Sequence, residues 1–285
     1  MELLCPTTWK DYELLDSGDG YRLERFGRFI VSRPDPTVIW SKSSLSLWEH
    51  VDAHFDETSR VWKLNSNLNN WTLTYQNLNF ALKPTPFKHL GIFPEQAVNW
   101  EFIAKCLSTK KSGAKILNLF GYTGGASLVS ASLGAEVTHV DASKPALTWL
   151  KENEILSNLP NAPIRLILDD ALKFVSREVI RGVKYDGIIM DPPAFGHDPK
   201  GRTWKFATDF PELLKESAKL LSDKQLFIIV NSYAAGMPAV SLKNALDEIT
   251  KNLQGQTEYG ELGLKETSTG RLISTGVFSR WSAKS

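Results

Sequence analysis

The chain has 285 residues, 42% of them hydrophobic and 23% charged, with a formal net charge of +1. This ordinary globular balance can bury one large core, or one large and one small, and it excludes a broad basic face for nucleic acid. Two cysteines without paired spacing, Cys5 and Cys106, exclude a disulfide framework and a zinc cluster, and no apolar run approaches the roughly 20 residues that cross a bilayer.

The opening MELLCPTTWKDYE lacks a basic region followed by an apolar core, so the expected location is the cytoplasm. Residues 12–33 form two alternating runs around Ser17-Gly18-Asp19-Gly20, a hairpin signal with glycines available for positive φ. Residues 61–64, 71–75 and 78–82 alternate apolar with polar side chains in the same way. These pieces predict a small antiparallel β-domain over residues 1–86, ending at the stiff Pro84-Thr85-Pro86 connector. It carries nine Lys/Arg against eleven Asp/Glu, so any RNA contact must be local. Five of the nine tryptophans precede residue 72; they could stack on bases, but packing is the favoured role. His50 and His54, four apart among carboxylates, would suit a metal only in a helix, and the glutamate of H-E-x-x-H is missing between them, so no metal is expected.

After the prolines, HLGIFPEQAVNWEFIAKCL starts as a bend and continues as an amphipathic helix from about Glu95. Residues 115–141, KILNLFGYTGGASLVSASLGAEVTHVD, then read as strand, tight turn, helix and second strand, a βαβ unit of the length expected for a nucleotide site. The glycines allow close backbone approach, the helix start offers free N–H groups to an anion, and Asp141 can accept from ribose hydroxyls. Nicotinamide or flavin dinucleotides and S-adenosylmethionine both contain such parts. The turn, Phe120, Gly121, Tyr122, Thr123, Gly124 and Gly125, is G-x-x-G-G rather than the G-x-G-x-x-G that a pyrophosphate requires, which favours the methyl donor.

Helix and strand patterns then alternate: helix 144–157, strand 164–168, helix 171–182, strand 185–190, helix 209–221, strand 225–230 and helix 239–253. That alternation predicts a parallel sheet covered on both faces. Residues 257–264 and 271–281 read as two strands joined by a short connection, so the sheet closes with a hairpin instead of another βα repeat.

Strand ends of an open parallel sheet converge on one crevice. Beyond the glycine turn, this groups Asp141, Ala142 and Ser143 with Asp169, Asp170 and Ala171. Asp170 and the N–H of Ala171 could select adenine, but capping the next helix is an equal role for the aspartate. The sharpest motif is Met190-Asp191-Pro192-Pro193-Ala194-Phe195-Gly196. Two prolines remove two N–H donors, leaving rigid acceptors beside an aromatic plate, an arrangement suited to a flat heterocycle with N–H groups. His197, Lys200, Arg202 and Lys205 around Trp204 could hold an RNA phosphate and base, or form a charged surface loop.

The segments YELLDSGDGYRLERFG, HLGIFPEQ, LNLFGYTGGASL, VTHVDAS and MDPPAFG together resemble the class I S-adenosylmethionine-dependent methyltransferase family that includes bacterial 23S ribosomal RNA large-subunit cytosine-C5 and guanine-N7 methyltransferases. The resemblance implies an α/β fold with a Rossmann-like sheet over residues 87–285, parallel except for its C-terminal antiparallel hairpin. It implies that Phe93 and Gln96 close over the cofactor and that residues 120–125 hold its methionine part. Asp141 would then take the ribose, Asp170 the adenine, and Asp191, Pro192 and Pro193 would face the acceptor. Members that methylate cytosine C5 resemble one another in a cysteine after the fifth strand; here that stretch is Val230-Asn231-Ser232-Tyr233, without a thiol. A nitrogen of an RNA base is therefore the expected acceptor. A small molecule or protein acceptor, or a non-catalytic cofactor-binding module, is the alternative.

Overall fold

A computed structural model describes residues 1–108, 113–197, 203–234 and 236–284, without the side chains of Phe195, His197 and Thr203. Strands β1 (Glu2–Leu4), β2 (Tyr12–Gly18), β3 (Tyr21–Phe26), β4 (Phe29–Pro34), β5 (Ala53–Asp56) and β6 (Val61–Leu64) come first, then the hairpin β7 (Thr72–Tyr75) and β8 (Leu78–Ala81). Helix α1 (Ala97–Ser108) leads into the alternating region: β9 (Lys115–Leu119), α2 (Gly125–Ser132), β10 (Glu136–Asp141), α3 (Lys144–Leu156), β11 (Ile164–Leu168), α4 (Ala171–Arg181) and β12 (Gly187–Met190). A small hairpin, β13 (Phe195–His197) and β14 (Thr203–Lys205), precedes α5 (Phe206–Ala218), β15 (Phe227–Ser232), α6 (Ala239–Thr250), β16 (Gly255–Lys265) and β17 (Leu272–Ala283).

The large sheet has the order β1-β16-β17-β15-β12-β9-β10-β11. Strands β15, β12, β9, β10 and β11 run parallel, and β17 pairs antiparallel with both β15 and β16, giving the expected closing hairpin. Its central strands are apolar on both faces because helices cover both. Ile116, Ile189 and Ile229 face one core with Trp100 and Phe102, while Leu117, Ile188 and Ile228 face the other with Phe174 and Leu213. The first core also contains Phe26, Trp71 and Phe80, so the small β-region and the large sheet share one apolar interior.

Asp19 and Gly20 take φ of 52° and 81° in the turn between β2 and β3, as the hairpin reading required. All five early tryptophans pack. Their indole N–H groups donate to Pro94 O, Ser17 Oγ, Asp16 Oδ2, Thr85 O and Phe26 O from Trp9, Trp40, Trp48, Trp62 and Trp71, respectively. The histidine pair does not share a helix face, because residues 53–56 form β5, where the His54 ring lies 5.3 Å from that of Tyr21. Strand β1 is an element that the pattern did not predict: it pairs in parallel with β16 at the edge of the large sheet.

Asn153 on α3 stitches the two regions beside the glycine turn. Its Oδ1 accepts from Ala81 N at 2.8 Å and its Nδ2 donates to Thr123 O at 3.0 Å, all buried. Replacing it with leucine orphans both backbone groups, and a loss of roughly 2–5 kcal/mol in unfolding free energy is expected, measured by urea denaturation.

Candidate active site

The carboxyl ends of β9, β10, β12 and β15 meet at one rim, where a cavity encloses about 510 Å³ of empty space open to solvent. Among its walls are Phe93, Gln96, Phe120, Gly121, Tyr122, Thr123, Gly125 and Asp191. Asp141, Ala142, Ser143, Asp170 and Ala171 stand at neighbouring strand ends rather than in this wall, as do Gly124, Pro192 and Pro193. A larger space of about 670 Å³ lies between the N-terminal segment and the C-terminal hairpin, and none of the expected site residues lines it.

The turn after β9 is held in an unusual backbone shape. Phe120 and Tyr122 take φ of 60° and 51°, and Gly124 takes 90°. Side chains rarely occupy this left-handed region, so surrounding contacts must enforce it. One is Asp141, whose Oδ2 accepts from Tyr122 N at 2.8 Å while Oδ1 accepts from Ser143 N at 2.8 Å. Burial pushes the Asp141 carboxyl up, against these two amide bonds. A second is His139, buried directly beneath the turn with Nδ1 2.9 Å from Ser127 Oγ. A Cβ on Gly121 would lie 2.2 Å from the His139 ring. Gly121→Ala is therefore expected to lower the thermal midpoint by roughly 5–10 °C in a circular-dichroism melt.

Helix α2 begins at Gly125 with no side-chain cap, so its first amides are free for an anion. Free amides, the aromatic rings of Phe93, Phe120 and Tyr122, and a carboxylate at the end of β10 fit S-adenosylmethionine. The two later strand ends are more constrained. Asp170 caps α4, accepting from Lys173 N at 2.9 Å, so the capping role is the one observed. Ser143 caps α3 with its side chain, and Ala171 is buried.

Asp191 follows β12, and its Oδ1 is buried without a hydrogen-bond partner among the described residues. Burial, with the like charge of Glu95 adding to it, pushes its carboxyl up to about 7. Pro193 O accepts from Trp204 Nε1 at 2.8 Å, and the Trp204 ring stands 5.3 Å from Phe120, walling this side. The side chains of Phe195 and His197, and the whole of Lys200 and Arg202, lie outside the described residues; Lys205 is exposed.

Sequence reasoning missed a buried amide network at the cavity wall. Gln96 Nε2 donates to Tyr233 Oη at 2.8 Å, and Asn99 Nδ2 donates to Gln96 Oε1 at 3.0 Å and Asn231 Oδ1 at 2.9 Å. Asn118 and Asn231 both line the cavity. Their signal was available: each is a polar residue interrupting an apolar strand, in KILNLF and FIIVNSY.

The family model described as Conserved hypothetical protein 95 matches residues 98–260. A solved S-adenosylmethionine-dependent methyltransferase from Agrobacterium tumefaciens is 38% identical, with a TM-score of 0.96 over 100% of this chain and 94% of that one. Ribosomal RNA large subunit methyltransferase K/L from Shewanella frigidimarina is 34% identical over 155 residues, 54% of this chain and 21% of that protein. The Shewanella oneidensis protein of the same name is 30% identical over 177 residues, 61% of this chain and 24% of that protein. The chain thus spans about a quarter or less of these curated relatives. Matched over more than half its length by the family model and throughout by the Agrobacterium structure, the chain belongs to the Conserved hypothetical protein 95 family and to the S-adenosylmethionine-dependent methyltransferases.

Proposed function

We propose that this chain methylates a nitrogen on a base of ribosomal RNA in the cytoplasm, with residues 1–86, apart from edge strand β1, as a β-domain and 87–285 as the methyltransferase domain. The observation that carries the reading is the buried Asp191 Oδ1, without a partner among the described residues, at the cavity beside two prolines. Bound S-adenosylmethionine supplies an electrophilic methyl group. Residues 120–125 and the free amides of α2 hold its amino-acid end, and Asp141 accepts from its ribose. Asp170, whose Oδ1 caps α4, and Ala171 edge its adenine with the other carboxylate oxygen and the backbone N–H, and Ala142 and Ser143 line the rim between them. Phe93 and Gln96 cover it.

The acceptor base lies flat against the Asp191, Pro192, Pro193 and Phe195 segment, extruded from any duplex. Asp191 accepts its N–H and aims the nitrogen lone pair. A carboxyl pushed up to about 7 is ionised enough at neutrality to accept, and basic enough to take the proton released on methylation. A nitrogen needs no covalent activation, and neither Cys5 nor Cys106 lines the cavity; Cys106 is buried on α1, its thiol pushed up to about 11 by burial. The names of the Shewanella relatives favour ribosomal RNA over other acceptors.

Nucleoside mass spectrometry of ribosomal RNA from wild-type and deletion strains tests the proposal. One N-methylated nucleoside should vanish in the deletion and return when purified protein and donor are added to that RNA. An unchanged nucleoside profile defeats the RNA acceptor. The near-neutral charge would then favour a small molecule or protein, whose methylation should be insensitive to salt.

A further inference from the structure

The chain between the β-region and the cavity wall passes through Phe87, Lys88 and His89 before reaching Phe93. Phe87 is 75% exposed, while the His89 ring lies 5.0 Å from Phe93, which in turn lies tilted against Tyr122 and Tyr233 at 5.9 and 5.6 Å. Lys88 between them is half-buried with φ of 61°, a conformation its surroundings must impose. Its Nζ donates to Pro34 O at 2.9 Å, which uses one of three donors. No carboxylate forms an ion pair with it among the described residues.

The charges around it come mainly from the small β-sheet. Arg33 grips Glu24 with two bonds of 2.8 Å, and its Nη1 also donates to Lys88 O at 3.3 Å. Arg22 Nε lies 3.2 Å from Asp35 Oδ2 but makes no directed hydrogen bond, and it is buried. The two acids are thus matched by the two arginines, leaving the ammonium of Lys88 over. Asp35 favours the Lys88 ammonium less than Arg22 opposes it, and exposed Glu57 acts on it least among its neighbours. Burial pushes the Lys88 ammonium down, and Arg22 and Arg33 add to the effect on balance. Burial likewise pushes His89 down to about 4, with Arg33, Lys88 and Arg22 contributing, so its neutral ring can still donate one N–H.

We infer that Lys88, with Arg22 and His89 beside it, is a seat for an RNA backbone phosphate next to the acceptor nucleotide, with exposed Phe87 as a stacking plate for a flanking base. The inference rests on the RNA reading above. It gives the small β-region a role in substrate binding that a near-neutral chain otherwise lacks.

The test measures binding of the full chain to deproteinised ribosomal RNA across a salt series. Lys88→Gln should weaken binding about eightfold at 50 mM salt and flatten the slope of log affinity against log salt by about 0.7, the value for one lost single-strand phosphate contact. Lys88→Arg should retain the slope, Phe87→Ala should weaken binding without changing it, and calorimetric donor affinity should stay unchanged in all three. Acylation footprinting of the unmodified protein covers a variant that does not fold: RNA should protect Lys88 at least threefold while Lys83 stays reactive. An unprotected Lys88, or an unchanged slope in a folded Lys88→Gln protein, overturns the seat while leaving RNA methylation standing. Equal protection by inorganic phosphate without a change of slope assigns a free phosphate instead and also overturns it. Failure of the wild-type chain to bind RNA at any salt overturns both readings.

Discussion

Asp191→Asn is expected to lower single-turnover methylation of deletion-strain ribosomal RNA by about 10²–10³-fold while donor affinity changes little. The amide keeps the shape of the carboxylate but cannot accept with a full charge or take up a proton. In the wild type, activity should fall as pH drops below about 7, because burial, with Glu95 second, holds the carboxyl protonated there. Stability should move the opposite way. The folded value of about 7 lies above the ordinary 3.8, so the folded state keeps a proton that the unfolded state has lost. The stabilisation from this group is complete below about pH 4 and is lost as pH rises through 7, with an upper bound of roughly 4 kcal/mol. Asp191→Asn removes that titration. Its thermal midpoint should exceed that of the wild type at pH 8 and approach it at pH 5, an inverse of the activity loss that a merely misfolded variant would not show.

Asp141→Ala is expected to weaken S-adenosylmethionine and S-adenosylhomocysteine binding alike, by about 100-fold or more in calorimetry. The carboxylate accepts from two backbone amides at 2.8 Å each, so its removal frees Tyr122 from the strained turn and takes away the ribose acceptor together. Hydrogen bonds to a charged group contribute roughly 1.5–3 kcal/mol each, and losing two ribose bonds accounts for the size of the effect. Equal loss for both ligands locates the defect in the parts they share, away from the transferred methyl group. A loss confined to the methylated donor would contradict the assignment, since the methyl group lies away from the sugar.

The parallel sheet, its closing hairpin, the glycine turn and the Asp-Pro-Pro corner were legible in the sequence, because each is written locally. Strands covered on both faces need near-continuous apolar runs, and residues 116–120, broken only by Asn118, and 187–190 supply them. The turn conformations at Gly20 and Gly124 need positive φ, and glycine marks the place. The side-chain partners that shape the cavity were not legible. Gln96 meets Tyr233 across 137 residues, and Asn99 meets Asn231 across 132, distances at which no periodicity operates. The same holds for β1, which completes a sheet edge formed by residues 255–265, and for residues 53–56, which become a strand by pairing with β4 and β6.

By itself, then, the amino-acid order determined the layers, the order of elements and the backbone corners, since these follow from periodicity of 2 or 3.6 and from the steric limits of glycine and proline. Only the tertiary structure decided which carboxylate oxygens lack a partner among the described residues and which become caps: Asp191 Oδ1 has none there, and Asp170 Oδ1 accepts from Lys173 N on α4. The physical reason is that desolvation and hydrogen-bond satisfaction belong to a three-dimensional neighbourhood, which comes into being when distant segments pack.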